Sequence, residues 1–153
     1  LRLIGSMGYT NASYDDVIFD LSSDGVIDSA DLALDIPRAP ELTYAFGLNH
    51  TMQVGDWGEM ISRFSYAFRD ESAYTDNNFG FITEQRIVDA GVDFYSDDGK
   101  YWIGIWGKNL LNEVKHCGDT QLPSVLGPLP LGGTFSPLAK GRVYGIELTV
   151  NFE

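Results

Sequence analysis

One stretch decides the fold: Val143-Tyr144-Gly145-Ile146-Glu147-Leu148-Thr149-Val150-Asn151-Phe152 alternates large apolar side chains with mostly small or polar ones. This period of two is typical of a β-strand that has one apolar face. The segments around 42–49, 63–69 and 88–95 repeat the pattern. The segments 1–10 and 100–108 follow it less strictly, because Ile4, Trp102 and Trp106 place apolar groups on the second face. The chain is therefore predicted to be all-β, an antiparallel meander of about six long strands.

The lengths of the strands and of their connections indicate a membrane protein. Predicted strands of roughly 9 to 14 residues exceed the usual ~5 to 6 and suit a tilted membrane crossing of about 9 to 11. Two connections are short, at Gly55-Asp56 and Asp97-Asp98-Gly99, whereas residues 11–40, 70–83 and 109–140 form long ones. Short turns at one end and long loops at the other are typical of outer-membrane barrels. We therefore expect an arc of a larger transmembrane β-barrel; a soluble sandwich, with the apolar face in a protein core, is the alternative.

Composition excludes several classes of function. The 153 residues include 10 Lys and Arg against 22 Asp and Glu, a formal charge of -12, which argues against nucleic acid because phosphate binding needs clustered basic residues. The single cysteine, Cys117, excludes an intrachain disulfide and a four-thiolate zinc site. No apolar run is long enough for a transmembrane helix. Since no nucleophile elbow, phosphate loop, zinc-binding His pair or dinucleotide fingerprint is present, we expect no enzyme activity.

Three segments, taken with their order and spacing, resemble one family. Ile36-Pro37-Arg38-Ala39-Pro40-Glu41-Leu42 introduces a strand, and Trp102-Ile103-Gly104-Ile105-Trp106-Gly107-Lys108-Asn109-Leu110 is a strand that closes on an Asn-Leu turn. Gly141 to Phe152 is an aromatic-terminated final strand. Together they resemble the C-terminal part of the β-barrel of TonB-dependent outer-membrane receptors. The resemblance covers essentially the whole chain, so residues 1–153 are expected to be about the last quarter of a longer protein, without its plug domain.

The resemblance implies active import across the bacterial outer membrane. Such receptors close a 22-stranded barrel around an N-terminal plug and bind a small-molecule ligand, such as a ferric siderophore, cobalamin or a sugar. The TonB complex supplies the energy by pulling on a segment before the plug, which lies outside these residues. Outer-membrane lipid and the barrel assembly machinery are the further partners. In the family the last strand carries the assembly signal, which places that role on Tyr144 and Phe152, although here Glu153 follows the aromatic residue.

The loop from Asp20 to Asp31 resembles the calcium loop of EF-hands and dockerin modules. Gly25 stands at the sharp turn and Ile27 at the apolar eighth place. Oxygen atoms suited to calcium come from the side chains of five residues and from one backbone carbonyl: Asp20, Ser22, Asp24, the Val26 carbonyl, Asp28 and Asp31. A solvated acidic loop with an ordinary Asp-Gly turn is the alternative. Apart from this possible calcium ion, no cofactor is expected.

Two further sets of residues are candidates for contacts with a solute. Tyr74, Asn77 and Asn78 lie in a polar, aromatic loop and would either contact a solute or cap the rim of the barrel. Charged residues alternate with the expected lipid face and would either pair inside a wet barrel or contact a plug or solute: Arg63, Arg69, Asp89 and Asp93.

A function of a different class is also open. The chain would then be a soluble, secreted all-β binding module that uses the Asp20–Asp31 loop as a calcium site.

His116 and Cys117 are adjacent on a long loop, where an unpartnered thiol is the expected state rather than a metal ligand.

Overall fold

Six long strands form one antiparallel sheet, and the fold is all-β, as the alternation predicts. The computed structural model describes residues 1–114, 116, 118–122, 125–130 and 133–152. In chain order the elements are β1 (Arg2–Tyr9), α1 (Ser29–Leu32), β2 (Leu42–Gln53), β3 (Gly58–Arg69), β4 (Ser72–Ala73), β5 (Phe81–Ile82), β6 (Gln85–Ser96), β7 (Tyr101–Lys108), β8 (Thr120–Gln121), β9 (Val125–Leu126), β10 (Leu129–Pro130), β11 (Thr134–Phe135) and β12 (Val143–Val150). The long strands follow the order β1-β2-β3-β6-β7-β12, so β1 and β12 are the two edges and the sheet is open.

Three of the six long strands are shorter than the sequence pattern predicts. β2, β3 and β6 have 12 residues each, within the expected range, but β1, β7 and β12 have 8. The last strand stops at Val150 because the next residue is bound to a turn. The backbone N–H of Asn151 donates to the Lys100 carbonyl at 2.9 Å, and its side chain donates to the Gly99 carbonyl at 2.8 Å. Phe152 therefore lies beyond the strand rather than in it.

Two tight turns join strands at one end of the sheet. Between β2 and β3, the N–H of Trp57 donates to the Val54 carbonyl at 3.1 Å, and Gly55 has a φ of 57°. Gly58 then has a φ of 146°, and a Cβ at this position would overlap the Tyr95 carbonyl oxygen of the neighbouring strand. Only glycine fits at this position, because both its backbone angle and its space exclude a side chain.

The second turn, between β6 and β7, is stabilised by a carboxylate. Asp98 accepts hydrogen bonds from the Ser96 hydroxyl at 2.6 Å and from the backbone N–H of Lys100 at 3.0 Å. These bonds favour the charged carboxylate and hold the pKa of Asp98 below its usual range. The short turns predicted at both places are confirmed.

The two faces of the sheet differ in polarity across its whole width. Cross-strand pairs on one face are apolar, as in Tyr44 opposite Phe68, whose rings stack at 4.8 Å, and Ile105 opposite Ile146. The other face carries most of the charged residues of the long strands, among them Arg63 on β3, whereas Arg86 at the loop end of β6 lies opposite Phe68 on the apolar face. Register thus confirms the division into an apolar and a polar face that the alternation predicts.

The apolar face is not covered by any described part of the chain. Among the described residues, only Ala73 and Ile82 are buried apolar side chains, and both lie between the long strands rather than on them. On the apolar face, Met7 is 75% and Ile146 is 74% exposed. The accessible surface is 10596 Å², whereas a folded monomer of this mass exposes about 7,700 Å². The sheet by itself therefore has no hydrophobic core.

The three long connections lie together at the other end of the sheet, as the meander requires. They contain α1 and three pairs of two-residue strands, β4–β5, β8–β11 and β9–β10. The third connection contains β8–β11 and β9–β10 although it is rich in glycine and proline, which interrupt regular structure. Within the described part of the chain, no helix has the length and apolar character needed to cross a membrane.

Candidate functional site

The three long loops hold one another by hydrogen bonds between distant residues. The Phe81 N–H of the second loop donates to Asp119 Oδ2 of the third at 3.1 Å. The guanidinium of Arg38, in the first loop, lies 4.7 Å from the centre of the Tyr74 ring in the second. A Cβ added at Gly118 would lie 2.7 Å from Tyr74 Oη, so the third loop packs closely on the same tyrosine. Tyr74 is thus the point at which all three loops meet.

Asp119 is the most constrained charged group of this cluster. Its side chain is buried beside Gly80, and Oδ2 accepts the bond from Phe81. Asp119 Oδ1 is buried and has no hydrogen-bond partner within the described residues. Nδ1 of His116, three residues earlier, is in the same state, so the third loop carries two buried polar atoms without a hydrogen-bond partner among the described residues. Cys117 lies outside the described residues.

The Asp20–Asp31 loop is closed by its first and last carboxylates. Asp20 Oδ1 accepts from the N–H groups of Ser23 at 2.7 Å and Asp24 at 3.2 Å, and Oδ2 accepts from Gly25 at 2.8 Å. At the other side of the loop, Asp31 accepts hydrogen bonds from the N–H groups of Ser22 at 2.8 Å and Asp28 at 2.9 Å. The predicted turn at Gly25 is present, with a φ of 93°.

Asp31 is fully buried, and it also caps α1 together with Asp28. The Asp28 side chain accepts from the Ala30 N–H at 2.7 Å, while Asp31 bonds back to the Asp28 N–H. Hydrogen bonds from the Ser22 and Asp28 amides stabilise the charged carboxylate and hold the pKa of Asp31 below its usual range.

No group of three or more His, Cys, Asp or Glu side chains is arranged to hold a metal ion within the described residues. The oxygens of Asp20 and Asp31 are directed to backbone amides, while Asp24 is exposed and accepts from the Val26 N–H at 2.9 Å. Calcium binding by this loop stays a prediction.

Three of the sequence-predicted residues line one depression between the first and second loops. Asp20, Tyr74 and Asn77 surround about 500 Å³, together with Asp76. Burial and the nearby Asp76 raise the pKa of Tyr14, which places another group of the first loop close to the second. Asn78 does not share this depression; it bonds instead to the backbone of Asp35 in the first loop.

The two residues of the predicted assembly signal lie at opposite ends of the final strand. Tyr144 is near the long loops, opposite Gly107, and is 78% exposed on the apolar face. Phe152 lies past the end of β12, beside the short turns, and is 87% exposed. Neither side chain is covered by a described part of the chain.

A trough of about 610 Å³ lies on the polar face, which is concave. All six long strands contribute to it, from Ile4 on β1 to Glu147 on β12. A second depression, of about 410 Å³, adjoins it toward the third loop and shares Asp89, Trp106 and Lys108 with it. The polar face therefore offers a continuous path from the long loops into the trough.

Each carboxylate of the trough has a partner. Asp93, almost fully buried, forms an ion pair with Arg63, whose side chain is half exposed. Glu147 accepts from Trp106 Nε1 at 2.7 Å, and Asp89 accepts from the backbone N–H of Asn109 at 2.8 Å. The predicted pairing of opposite charges across neighbouring strands is confirmed for Arg63 and Asp93. Arg69 instead donates to the Ser72 hydroxyl at 3.1 Å.

Comparison with family models, with curated proteins and with solved structures finds no match to this chain. The interpretation of the site therefore depends on its own geometry.

Two tryptophans of the trough, Trp102 and Trp106, could be taken from the sequence only as interruptions of the strand alternation and were missed as site residues. The ring of Trp106 covers Gly145, where a Cβ would lie 2.8 Å from Cζ2, and that of Trp102 covers Gly104, where the distance would be 3.0 Å. Trp102 Nε1 is buried without a hydrogen-bond partner among the described residues. The available signal was a glycine beside each tryptophan on the polar face, on the same strand for Trp102 and on the next strand for Trp106.

Proposed function

We propose that this chain is the C-terminal part of the β-barrel of a TonB-dependent outer-membrane receptor. In this proposal the receptor binds a scarce solute and imports it with energy from the TonB complex, and it is not an enzyme. The chain supplies barrel wall and external loops; plug and TonB contacts belong to other parts of the receptor. The polar face would line the interior and the apolar face would meet lipid.

The observation that carries the proposal is the uncovered apolar face. A sheet six strands wide, with Met7 and Ile146 three-quarters exposed, requires an apolar environment that the described part of the chain does not supply. Soluble monomers rarely expose contiguous apolar patches larger than a few hundred Å². Lipid supplies such an environment for strands of 8 to 12 residues that alternate in polarity.

Three further features agree with the proposal. The concave face is the polar one, as in a barrel with a wet interior. The long loops share one end of the sheet and the tight turns share the other. The edges β1 and β12 are unpaired, so the sheet can be extended by the strands of a longer chain until it closes.

Cell fractionation of the intact gene product tests the proposal directly. We expect it in the outer-membrane fraction, soluble only with detergent, and recovery as a soluble monomer would refute the proposal. That result would favour the soluble secreted module instead.

A matched pair of variants on β12 tests which face meets lipid. Ile146→Arg places a charge on the apolar face and should cost about 2–4 kcal/mol near the bilayer midplane, with loss of protein from the membrane. Thr149→Arg places the same charge on the polar face of the same strand and should leave membrane levels unchanged. Equal effects of the two variants would contradict the assignment of the faces.

A further inference from the structure

We propose that the trough on the polar face binds an uncharged, polyhydroxylated ligand of the carbohydrate class, with Trp106 and Trp102 as its stacking surfaces. This inference rests on the proposed function, because the trough faces the solute path only if the sheet belongs to a receptor barrel. It adds the class of solute and the residues that recognise it.

The first step is the position of the two indole rings. Both line the trough, and each covers a glycine of the wall: Trp106 covers Gly145, and Trp102 covers Gly104. The rings thus replace part of the sheet surface with a broad aromatic one that remains partly exposed. A sugar ring has an apolar C–H face that packs on such a surface, and aromatic walls with a few placed polar groups are typical of small-molecule sites.

The second step is the charge balance of the trough. The carboxylates of Asp93, Glu147 and Asp89 are engaged with Arg63, Trp106 and the Asn109 amide, respectively. The carboxylates of Glu147 and Asp89 can accept further hydrogen bonds, and the half-exposed Arg63 can still donate. Hydroxyl groups both donate and accept, so they match this mixture of groups. A ligand with a full charge of either sign would meet groups of its own sign.

The third step is the charge of the approach to the trough. Residues 10–41 and 70–84, the first two loops, contain twelve acidic residues and one basic residue, Arg38. A rim of one sign repels solutes of the same sign and lowers their local concentration. Anionic solutes are therefore disfavoured before they reach the tryptophans, whereas an uncharged ligand is unaffected.

Trp106 stands where the path from the loops enters the trough. It lines both the trough and the adjoining depression, together with Asp89 and Lys108. Its ring is oriented by the bond from Nε1 to Glu147, so the stacking surface is held in place before a ligand arrives. Trp102 Nε1 is unpaired, and we expect it to donate to a ligand hydroxyl after a small rotation of its ring.

Calorimetric titration of the intact detergent-purified receptor tests this inference. The probes are three neutral hexasaccharides, namely maltohexaose, cellohexaose and xylohexaose, and the anionic hexamer of galacturonic acid. We expect at least one neutral probe to bind and the anionic probe to bind at least tenfold more weakly. Failure of all three neutral probes, or preference for the anionic one, would overturn the inference.

Variants locate the binding and separate it from folding. Trp106→Ala and Trp102→Ala should each weaken binding of the neutral probe by roughly tenfold, as expected for a lost stacking contact. Trp106→Phe keeps an aromatic ring and should recover part of the affinity. Trp57→Ala is the control, because this tryptophan is 78% exposed in a turn outside the trough. If Trp57→Ala weakens binding as much as Trp106→Ala does, the trough is not the site.

The outcome is distinguishable from failure of the proposed function. A membrane-located protein that binds none of the probes would refute the inference and leave the receptor proposal standing. A soluble protein whose tryptophan variants lose binding would refute the receptor proposal and retain the carbohydrate site.

Discussion

Asn78 and Asp35 bind each other twice, although 43 positions separate them along the chain. The backbone N–H of Asp35 donates to Asn78 Oδ1 at 2.7 Å, and Asn78 Nδ2 donates to the Asp35 carbonyl at 2.9 Å. One amide side chain thus mimics a backbone partner and fastens the first long loop to the second. Asn78 itself has a φ of 56°, a conformation that asparagine tolerates better than most residues do.

Replacement of Asn78 should release the first loop from the second. Asn78→Ala removes both bonds and adds backbone strain, so we expect a cost of about 1–3 kcal/mol and faster proteolysis within residues 10–41. Asn78→Gly removes the same bonds without the strain. Near-normal protease resistance of the glycine variant would show that backbone angle, and not the paired bonds, holds the loops.

Replacing one partner of the ion pair in the trough should cost more stability than replacing the other. Arg63→Met leaves the buried Asp93 carboxylate unpaired and should lower the free energy of unfolding by about 1–3 kcal/mol. Asp93→Asn leaves a half-exposed guanidinium that water can solvate, so its cost should be smaller. Urea unfolding of the intact protein in detergent measures both. The double variant should lose less than the sum of the two, and simple additivity would argue against a direct interaction.

The calcium prediction can be tested without breaking the loop. Asp24→Ala removes an expected ligand but leaves the carboxylates of Asp20 and Asp31 bonded to their amides. We expect calorimetry to show calcium binding by the natural protein and at least tenfold weaker binding by the variant, about 1.4 kcal/mol. Identical titration curves, or no heat from either protein, would refute the site.

Acid should open the same loop through Asp31. The pKa of Asp31 in the folded protein lies below its ordinary value of 3.8. The charged carboxylate therefore stabilises the loop fully at pH values above the pKa of the unfolded chain, and this stabilisation is lost as the pH falls through the pKa of the folded protein. Hydrogen exchange, corrected for the intrinsic rate at each pH, should show the Ser22 and Asp28 amides losing protection below about pH 4. In Asp31→Asn these two amides should be less protected at pH 6, and their protection should not change with pH. If the variant shows the same loss of protection in acid, a group other than Asp31 causes the transition.

Replacement of Gly58 should disrupt folding, whereas replacement of Gly55 in the same turn should be tolerated. Gly58→Ala places a methyl group on the Tyr95 carbonyl and should cost about 2–4 kcal/mol, with poor assembly of β3 against β6. Gly55→Asn is the control, because its φ of 57° suits asparagine and nothing lies within 4 Å of a Cβ there. The amount of folded protein in membranes distinguishes the two, and equal loss would implicate the turn as a whole.

The sequence predicts those parts of the structure that depend on local pattern. Alternation assigns each side chain of the long strands to a face, since period two leaves no other arrangement with one apolar surface. Gly55 and Gly99 mark the turns, because both have positive φ. The pairing of Arg63 with Asp93 was accessible because both residues fall on the polar face of neighbouring strands.

Contacts between the loops could not be predicted in this way. The Phe81 amide meets Asp119 across 38 positions, and neither residue has a local pattern that names the other. The tryptophans were misjudged for a different reason. Trp102 and Trp106 break the alternation, but their rings fit on the polar face because each lies over a glycine. One of these glycines is on another strand, so the fit cannot be read from the sequence around the tryptophan.

The open edges β1 and β12 have a consequence for handling the polypeptide. Both have eight residues, they run in opposite directions, and each presents a row of backbone groups unpaired within the sheet. The β1 edge of one copy is therefore an antiparallel template for the β12 edge of the next, so that copies can add to one another strand by strand. As an isolated polypeptide, this chain is therefore expected to polymerise through its edge strands and then to precipitate.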